Sequence, residues 1–152
     1  MSTIVNLDFE SAKYAQDMVN TKNVKAKDLE NQVTKSLGVL QEQGIYALML
    51  LLFSQDSKET RAIYEHLIEL LKCIGLKNIE EATWPQKNNR NQYNLQHVLK
   101  FYSDNILEDI DRLFLVRDIY EQTLIYARYG AKALGKTEKQ QKDSKTDTST
   151  GS

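Results

Sequence analysis

A chain of 152 residues with a formal net charge of -1 fits one domain, and its overall charge excludes global attraction to a polyanion. Six glycines and one proline are too few for a turn-rich sandwich or barrel, so the composition favours an all-α fold. The single cysteine cannot form a disulfide within the chain, and neither a signal peptide nor a membrane-spanning apolar run is apparent. We therefore expect a cytoplasmic protein.

The spacing of apolar residues predicts four helices in the first half of the chain, over residues 8–20, 24–43, 45–53 and 58–74. Asp8 is expected to cap the first helix, and either Asp56 or Ser57 the fourth. Gly44 is predicted to form a corner between the second and third helices. The third helix is apolar all the way round, which predicts burial at the centre of a bundle.

The second half is predicted to begin with an irregular loop over residues 76–91, around Pro85. Helical spacing returns at Leu95, and the sequence leaves open whether residues 103–105, with Asp104 as a cap, divide this region into two helices. Residues 136–152 have no apolar anchor and are predicted to be a disordered tail. We thus expect a compact all-α bundle of about five to seven helices over residues 1–135.

The sequence contains no pattern typical of an enzyme, such as a glycine-rich phosphate loop or a serine between glycines. His66 and Cys73 share a helical face but lie about 10 Å apart along the axis, beyond hydrogen-bond reach. Asp104 can share a helical face with either Glu108 or Asp111, which leaves a metal site open, although a solvated acidic helix start is the favoured interpretation. We therefore predict a protein without catalytic activity, metal or cofactor.

A basic stripe is predicted on the last helix, because eleven residues rotate Arg128 only about 20° away from Arg117. Glu121 and Lys132 fall near the same line. One interpretation is a solvent-facing stripe with an Arg117–Glu121 pair, and the other is a contact about 22 Å long with a nucleic-acid backbone. A second basic cluster, interpreted equally as a solubility feature or as an RNA contact, consists of Lys22, Lys25 and Lys27, with Lys35 further along.

Two segments, TKSLGVLQEQGIYALMLLLFS and LVRDIYEQTLIYARYGAKAL, together resemble the small helical subunit of the type III-B CRISPR-Cas effector complex, the Cmr complex. The resemblance covers roughly residues 8–135. The positions that match the family pattern are Lys35, Val39, Leu40, Gly44, Leu51 and Leu52 in the first segment and Arg117, Arg128, Tyr129, Ala131 and Leu134 in the second. The chain departs from the pattern at Leu37-Gly38, where the family often has proline, and at Ala127, where it has a second cation.

The resemblance implies a non-catalytic subunit that stacks beside the backbone subunits of a ribonucleoprotein filament and helps to hold guide RNA and target RNA. Its implied partners are the other effector subunits, further copies of itself and the two RNAs, with no membrane. Cations on a rigid helical face suit sequence-independent phosphate contacts. The residues expected to bind RNA are Arg117, Arg128, Lys132, Lys35, Lys22, Lys25 and Lys27.

The alternative hypothesis is a helical protein–protein interaction module with no nucleic-acid role. In that case Trp84, Tyr93 or Tyr102, near the irregular loop, would contact the partner, because aromatic side chains dominate such interfaces.

Overall fold

The computed structural model describes residues 6–76 and 79–141 in full and the backbone of residues 142–149. These residues fold into six α-helices and no strand, which confirms the predicted all-α bundle. The helices are α1 (Leu7–Val19), α2 (Ala26–Gln43), α3 (Ile45–Gln55), α4 (Lys58–Cys73), α5 (Leu95–Tyr102) and α6 (Ile110–Ser149). The predicted domain and tail also include residues 1–5, 77–78 and 150–152, which lie outside the described residues.

The centre of the fold is α6, which packs most extensively against α1 and α2. Its buried stripe follows helical spacing and consists of Val116, Ile119, Tyr120, Thr123, Leu124, Ala127 and Ala131. Gly130 lies where α6 approaches α1, and a Cβ there would sit 3.3 Å from a methyl carbon of Val19. The absence of a side chain at Gly130 therefore allows the close approach of the two helices.

The starts of α1 and α4 follow local capping chemistry. Asn6, and not the predicted Asp8, caps α1, because its side-chain oxygen accepts a hydrogen bond from the Phe9 N–H at 3.1 Å. Asp8 lies within the first turn and instead accepts a hydrogen bond from the Tyr126 hydroxyl of α6 at 2.7 Å. Ser57 caps α4 through a reciprocal capping box with Thr60, which settles the choice left open between Asp56 and Ser57.

Gly44 forms the predicted corner between α2 and α3, with a φ of 92° that favours glycine. The prediction that α3 is buried all round is wrong on one side. Ile45, Leu48, Met49 and Leu52 are buried, but Tyr46 and Leu50 are 40% and 42% exposed. The reason is that α3 packs between α2 and α4 with one face left uncovered.

The division between α5 and α6 is not where the sequence suggested. The chain continues from α5 into a π-helical segment, Ser103–Leu107, so Asp104 lies inside a helical stretch and does not cap α6. The cap is Asp109, whose carboxylate accepts hydrogen bonds from the N–H groups of Asp111 and Arg112 at 3.1 and 3.2 Å.

The loop before α5 is packed onto the bundle. It contains a 3-10 turn, Glu81–Thr83, and the side chain of Trp84 is buried against Phe101, with ring centroids 4.8 Å apart. Lys87 lies 3.8 Å from the Glu65 carboxylate of α4 and also over the Tyr93 ring. Aromatic packing and this ion pair hold the loop in place without regular secondary structure.

The packed part of α6 ends close to the predicted domain boundary. Ala131 is buried and Leu134 half-buried, whereas all the side chains of residues 136–141 are exposed. The backbone remains helical to Ser149. A polar helix with no buried face is marginal in water. The structure is therefore consistent with a tail outside the core, and disorder of residues 136–152 in solution stays a prediction.

The deepest polar contact of the core joins α5 to α6. The hydroxyls of Tyr102 and Tyr120, both fully buried, lie 2.5 Å apart. Burial raises the pKa of both phenols well above the usual value, so the pair is neutral at physiological pH.

Removing one hydroxyl leaves the other buried without a partner, so we expect Tyr102→Phe to lower the free energy of unfolding by about 1–3 kcal/mol. Adding Tyr120→Phe should cost little more, because no orphaned hydroxyl remains. Urea unfolding of wild type, both single variants and the double variant measures this coupling. If the loss in the double variant equals the sum of the two single losses, the two hydroxyls do not stabilise the fold as a hydrogen-bonded pair.

Candidate nucleic-acid interface

Arg117 is a contact between helices. Its guanidinium donates a hydrogen bond to the Gln41 carbonyl oxygen at 2.6 Å, in the last turn of α2. Carbonyls in a last helical turn lack an N–H partner within the helix, and a cation there also complements the helix dipole. The Gln41 side chain in turn donates to the Glu121 carboxylate at 3.1 Å. Arg117 therefore links α6 to the end of α2. Gln41 bridges the two residues of the predicted Arg117–Glu121 pair by forming a hydrogen bond with each.

Arg128 and Lys132 are both exposed on α6. Lys139 falls within about 20° of both on the helical wheel, and Lys136 lies about 40° from Lys132. The side chains of Lys136 and Lys139 are also exposed. From Arg128 to Lys139 the row extends about 16 Å at 1.5 Å per residue.

The start of α2 lies beside this row. A Cβ on Gly135 would sit 3.9 Å from the Cβ of Ala26, the first residue of α2, while Arg117 contacts the other end of α2. The two helices are thus antiparallel. Consequently the exposed residues Lys22, Lys25 and Lys27 lie at the same end of the bundle as Arg128 and Lys132.

The N-terminus of α2 adds to the positive potential of this end. Its N-cap residue, Lys25, provides no side-chain acceptor, so no described side chain caps the first N–H groups of the helix. Such groups, together with the helix dipole, favour an anion. Lys27 lies 3.9 Å from the Glu30 carboxylate, but its own side chain is 76% exposed and this long contact leaves its charge available in water.

Lys35 lies apart from the other predicted cations. Ala26 faces α6, and Lys35 follows it by nine residues. Lys35 therefore lies about 180° round α2, on the side away from α6. Asn31, one turn before Lys35, lines a shallow cavity with Glu59 of α4. Lys35 is exposed, but the fold does not bring it to the basic end.

We use the term basic end for residues 22–30 and 128–139. Seven cations lie there, against the three carboxylates Asp28, Glu30 and Glu138. The opposite balance occurs at residues 104–121, where six carboxylates face two arginines. The near-zero net charge of the chain is therefore unevenly distributed, with a modest excess of cations at the basic end. Exposed cations beside the packed part of α6 and at the start of α2 can contact phosphates without reading base sequence.

Lys136 and Lys139 were missed as candidates because the sequence assigned them to the tail. The signal that could have found them was spacing, since Arg128, Lys132 and Lys139 recur at four and seven residues, as on one helical face. The meeting of α2 with α6 has no such signal in the sequence, because it depends on tertiary packing.

The residues considered for catalysis do not come together. The His66 ring nitrogen Nδ1 is 2.6 Å from the Ala62 carbonyl oxygen, and the Cys73 thiol instead donates to the Glu10 carboxylate at 3.4 Å. Cys73 is exposed, but partial desolvation and, next, this hydrogen bond raise the pKa of its thiol, which opposes formation of a nucleophilic thiolate. Within the described residues, no group of three His, Cys, Asp or Glu side chains is placed to bind a metal ion.

The aromatic anchors of the alternative hypothesis are wrong. Tyr102 is 0% exposed, and Trp84 and Tyr93 are each 9% exposed, because the loop packs them into the core. Among the described residues, the large apolar side chains that do reach the surface are Phe9, Tyr46, Leu50, Ile110, Phe114, Leu115, Tyr126 and Tyr129.

The two arginines of α6 should differ in their effect on stability. We expect Arg117→Met to lower the free energy of unfolding by about 1 kcal/mol, because the Gln41 carbonyl loses its donor. Arg128→Met, the matched control on the same helix, should stay within about 0.5 kcal/mol of wild type. Urea unfolding compares the two variants, and equal losses would refute the assigned role of Arg117.

The raised pKa of the Cys73 thiol predicts slow alkylation. At mildly alkaline pH we expect iodoacetamide to modify Cys73 more slowly than a cysteine in an unstructured peptide, because less thiolate is present. Glu10→Gln should accelerate the reaction, and Asp17→Asn, an exposed carboxylate on the same helix, should not. Mass spectrometry follows the modification, and a peptide-like rate in wild type would contradict the prediction.

Comparisons of the chain with known protein families, with curated proteins and with solved structures gave no match. Among the described residues, every helix is too short or too polar to cross a bilayer.

Proposed function

We propose that this chain is a non-catalytic small subunit of a type III-B CRISPR-Cas effector complex. It holds the phosphate backbone of guide and target RNA at its basic end, in antiviral defence. The observation that carries the proposal is the meeting of two basic clusters, separated by about a hundred residues in sequence, beside the start of α2. The sequence resemblance to the Cmr small subunit supports the same role.

Phosphate binding through this surface is independent of base sequence, which suits a subunit that must accept variable guides. Seven cations against three carboxylates provide only a modest local charge. A single copy therefore binds RNA weakly, and several aligned copies are needed for useful affinity. The backbone subunits and neighbouring copies in the cytoplasmic assembly supply that alignment.

The second candidate is a protein–protein interaction module without a nucleic-acid role. It is favoured by the exposed apolar side chains of α6, of which Ile110 and Phe114 are 63% and 56% exposed. In the effector proposal these side chains contact neighbouring subunits, so the two hypotheses differ in whether RNA accompanies the assembly.

Charge reversal at the basic end should release RNA. In the assembly purified from the host through a tag on this chain, we expect Arg128→Glu with Lys132→Glu to reduce retained RNA and to make the remaining binding less dependent on salt. Both residues are exposed, so folding should be unaffected.

The matched control is Lys58→Glu with Lys72→Glu, two exposed lysines of α4 that change the net charge equally. This variant should retain RNA like wild type. If both double variants retained as much RNA as wild type, the basic end would not be the RNA contact.

A further inference from the structure

A second candidate site lies away from the basic end, in a cavity of about 590 Å³ between the loop before α5 and the outer face of α5. Its floor is apolar and includes Trp84, Pro85 and Phe101. The π-helical segment after α5 completes the wall with Asp104 and Asn105. The volume is in the range of small-molecule sites, and π-helical segments frequently accompany functional sites.

Two asparagines on the wall present hydrogen-bond donors. Asn94 caps α5, so its side-chain oxygen accepts a hydrogen bond from the His97 N–H at 3.2 Å. Asn88 uses its side-chain oxygen for the N–H groups of Arg90 and Gln92 at 2.9 and 3.1 Å. Because both oxygens are committed to the backbone, each amide has its NH₂ group left to donate.

Trp84 provides a third donor. Its side chain is 9% exposed, and its indole N–H has no acceptor among the described residues. A buried indole normally finds a partner. An acceptor atom in the cavity would satisfy it.

Lys100 also lines the cavity, at the spacing that places it on the same face of α5 as His97. Lys100 is exposed and forms no ion pair with a described carboxylate. Asn105 donates to the Phe101 carbonyl oxygen at 3.1 Å, so its side-chain oxygen, which has no donor among the described residues, can accept, and Asp104 also lines the cavity. Among the described residues, the cavity walls thus carry several hydrogen-bond donors, the cation Lys100 and a smaller set of acceptors. The floor of the cavity is aromatic.

We propose that this cavity binds a nucleotide unit, with its phosphate at Lys100 and its base over the aromatic floor. Phosphate oxygens are acceptors only and match the donor-rich wall. A nucleobase has both acceptor and donor atoms on its edge and a flat face suited to aromatic surroundings. The unit comes either from a free mononucleotide or from a strand of RNA. The inference does not rest on the basic end, which lies on α2 and α6.

The chain contains a single tryptophan, Trp84, so its fluorescence reports directly on the cavity. Titration of the full chain with uridine monophosphate, and in parallel with a short uridine oligonucleotide, should produce a saturable change in Trp84 emission. Saturation with the mononucleotide identifies a free nucleotide as the ligand, and saturation with the oligonucleotide alone identifies a strand. Uridine without phosphate should bind more weakly than either.

Lys100→Ala should weaken binding about tenfold, since a charge-assisted hydrogen bond to the phosphate is lost. Lys72→Ala, an exposed lysine of α4 outside the cavity, is the matched control and should bind like wild type. The proposal is overturned if no ligand gives a saturable change, if Lys72→Ala weakens binding as much as Lys100→Ala, or if inorganic phosphate alone binds as tightly as the nucleotide.

Discussion

The packing of α6 between α1 and α2 is the constraint on which the rest of this structure depends. Its stripe of buried side chains supplies apolar area to both neighbours, and Gly130 allows α1 to come close. Polar contacts then fix the position of each neighbour along α6. Arg117 donates a hydrogen bond to the last turn of α2, and Asp8 at the start of α1 accepts one from Tyr126. A helix of 40 residues is thereby held along about half of its length.

The packing of α2 against α6 determines where positive charge collects on the surface. Because α2 and α6 run antiparallel, the uncapped start of α2 lies beside the basic half of α6, and the positive end of the α2 dipole adds to the charge of the lysines. The acidic residues near the start of α6 lie at the other end of the packed helix. A chain of net charge -1 thus has a local excess of cations that suits phosphate. A local site of this kind makes the proposed RNA binding compatible with a neutral composition.

Helical periodicity was sufficient to predict the all-α class and, nearly, the bounds of α2 and α4, because their apolar stripes and the glycines that follow them are local signals. It failed at the start of α6, where a π-helical segment contains Asp104 and the local cap is Asp109. It also failed where tertiary contacts decide, because Trp84 and Tyr93 are buried by a loop with no periodic pattern. For the candidate site, the row of Arg128 and Lys132 was predictable from spacing. The structural role of Arg117 and the separation of Lys35 were not, since both depend on which face of α2 meets α6.

The most direct test of the central claim is to purify the tagged wild-type chain from its host at mild salt and to sequence the RNA that accompanies it. The account predicts short RNAs that share one constant end and differ in the remainder, as expected of guides held without base readout. Well-defined protein partners without RNA would contradict it, and the lysines and arginines of the basic end would then serve only as a solvated surface.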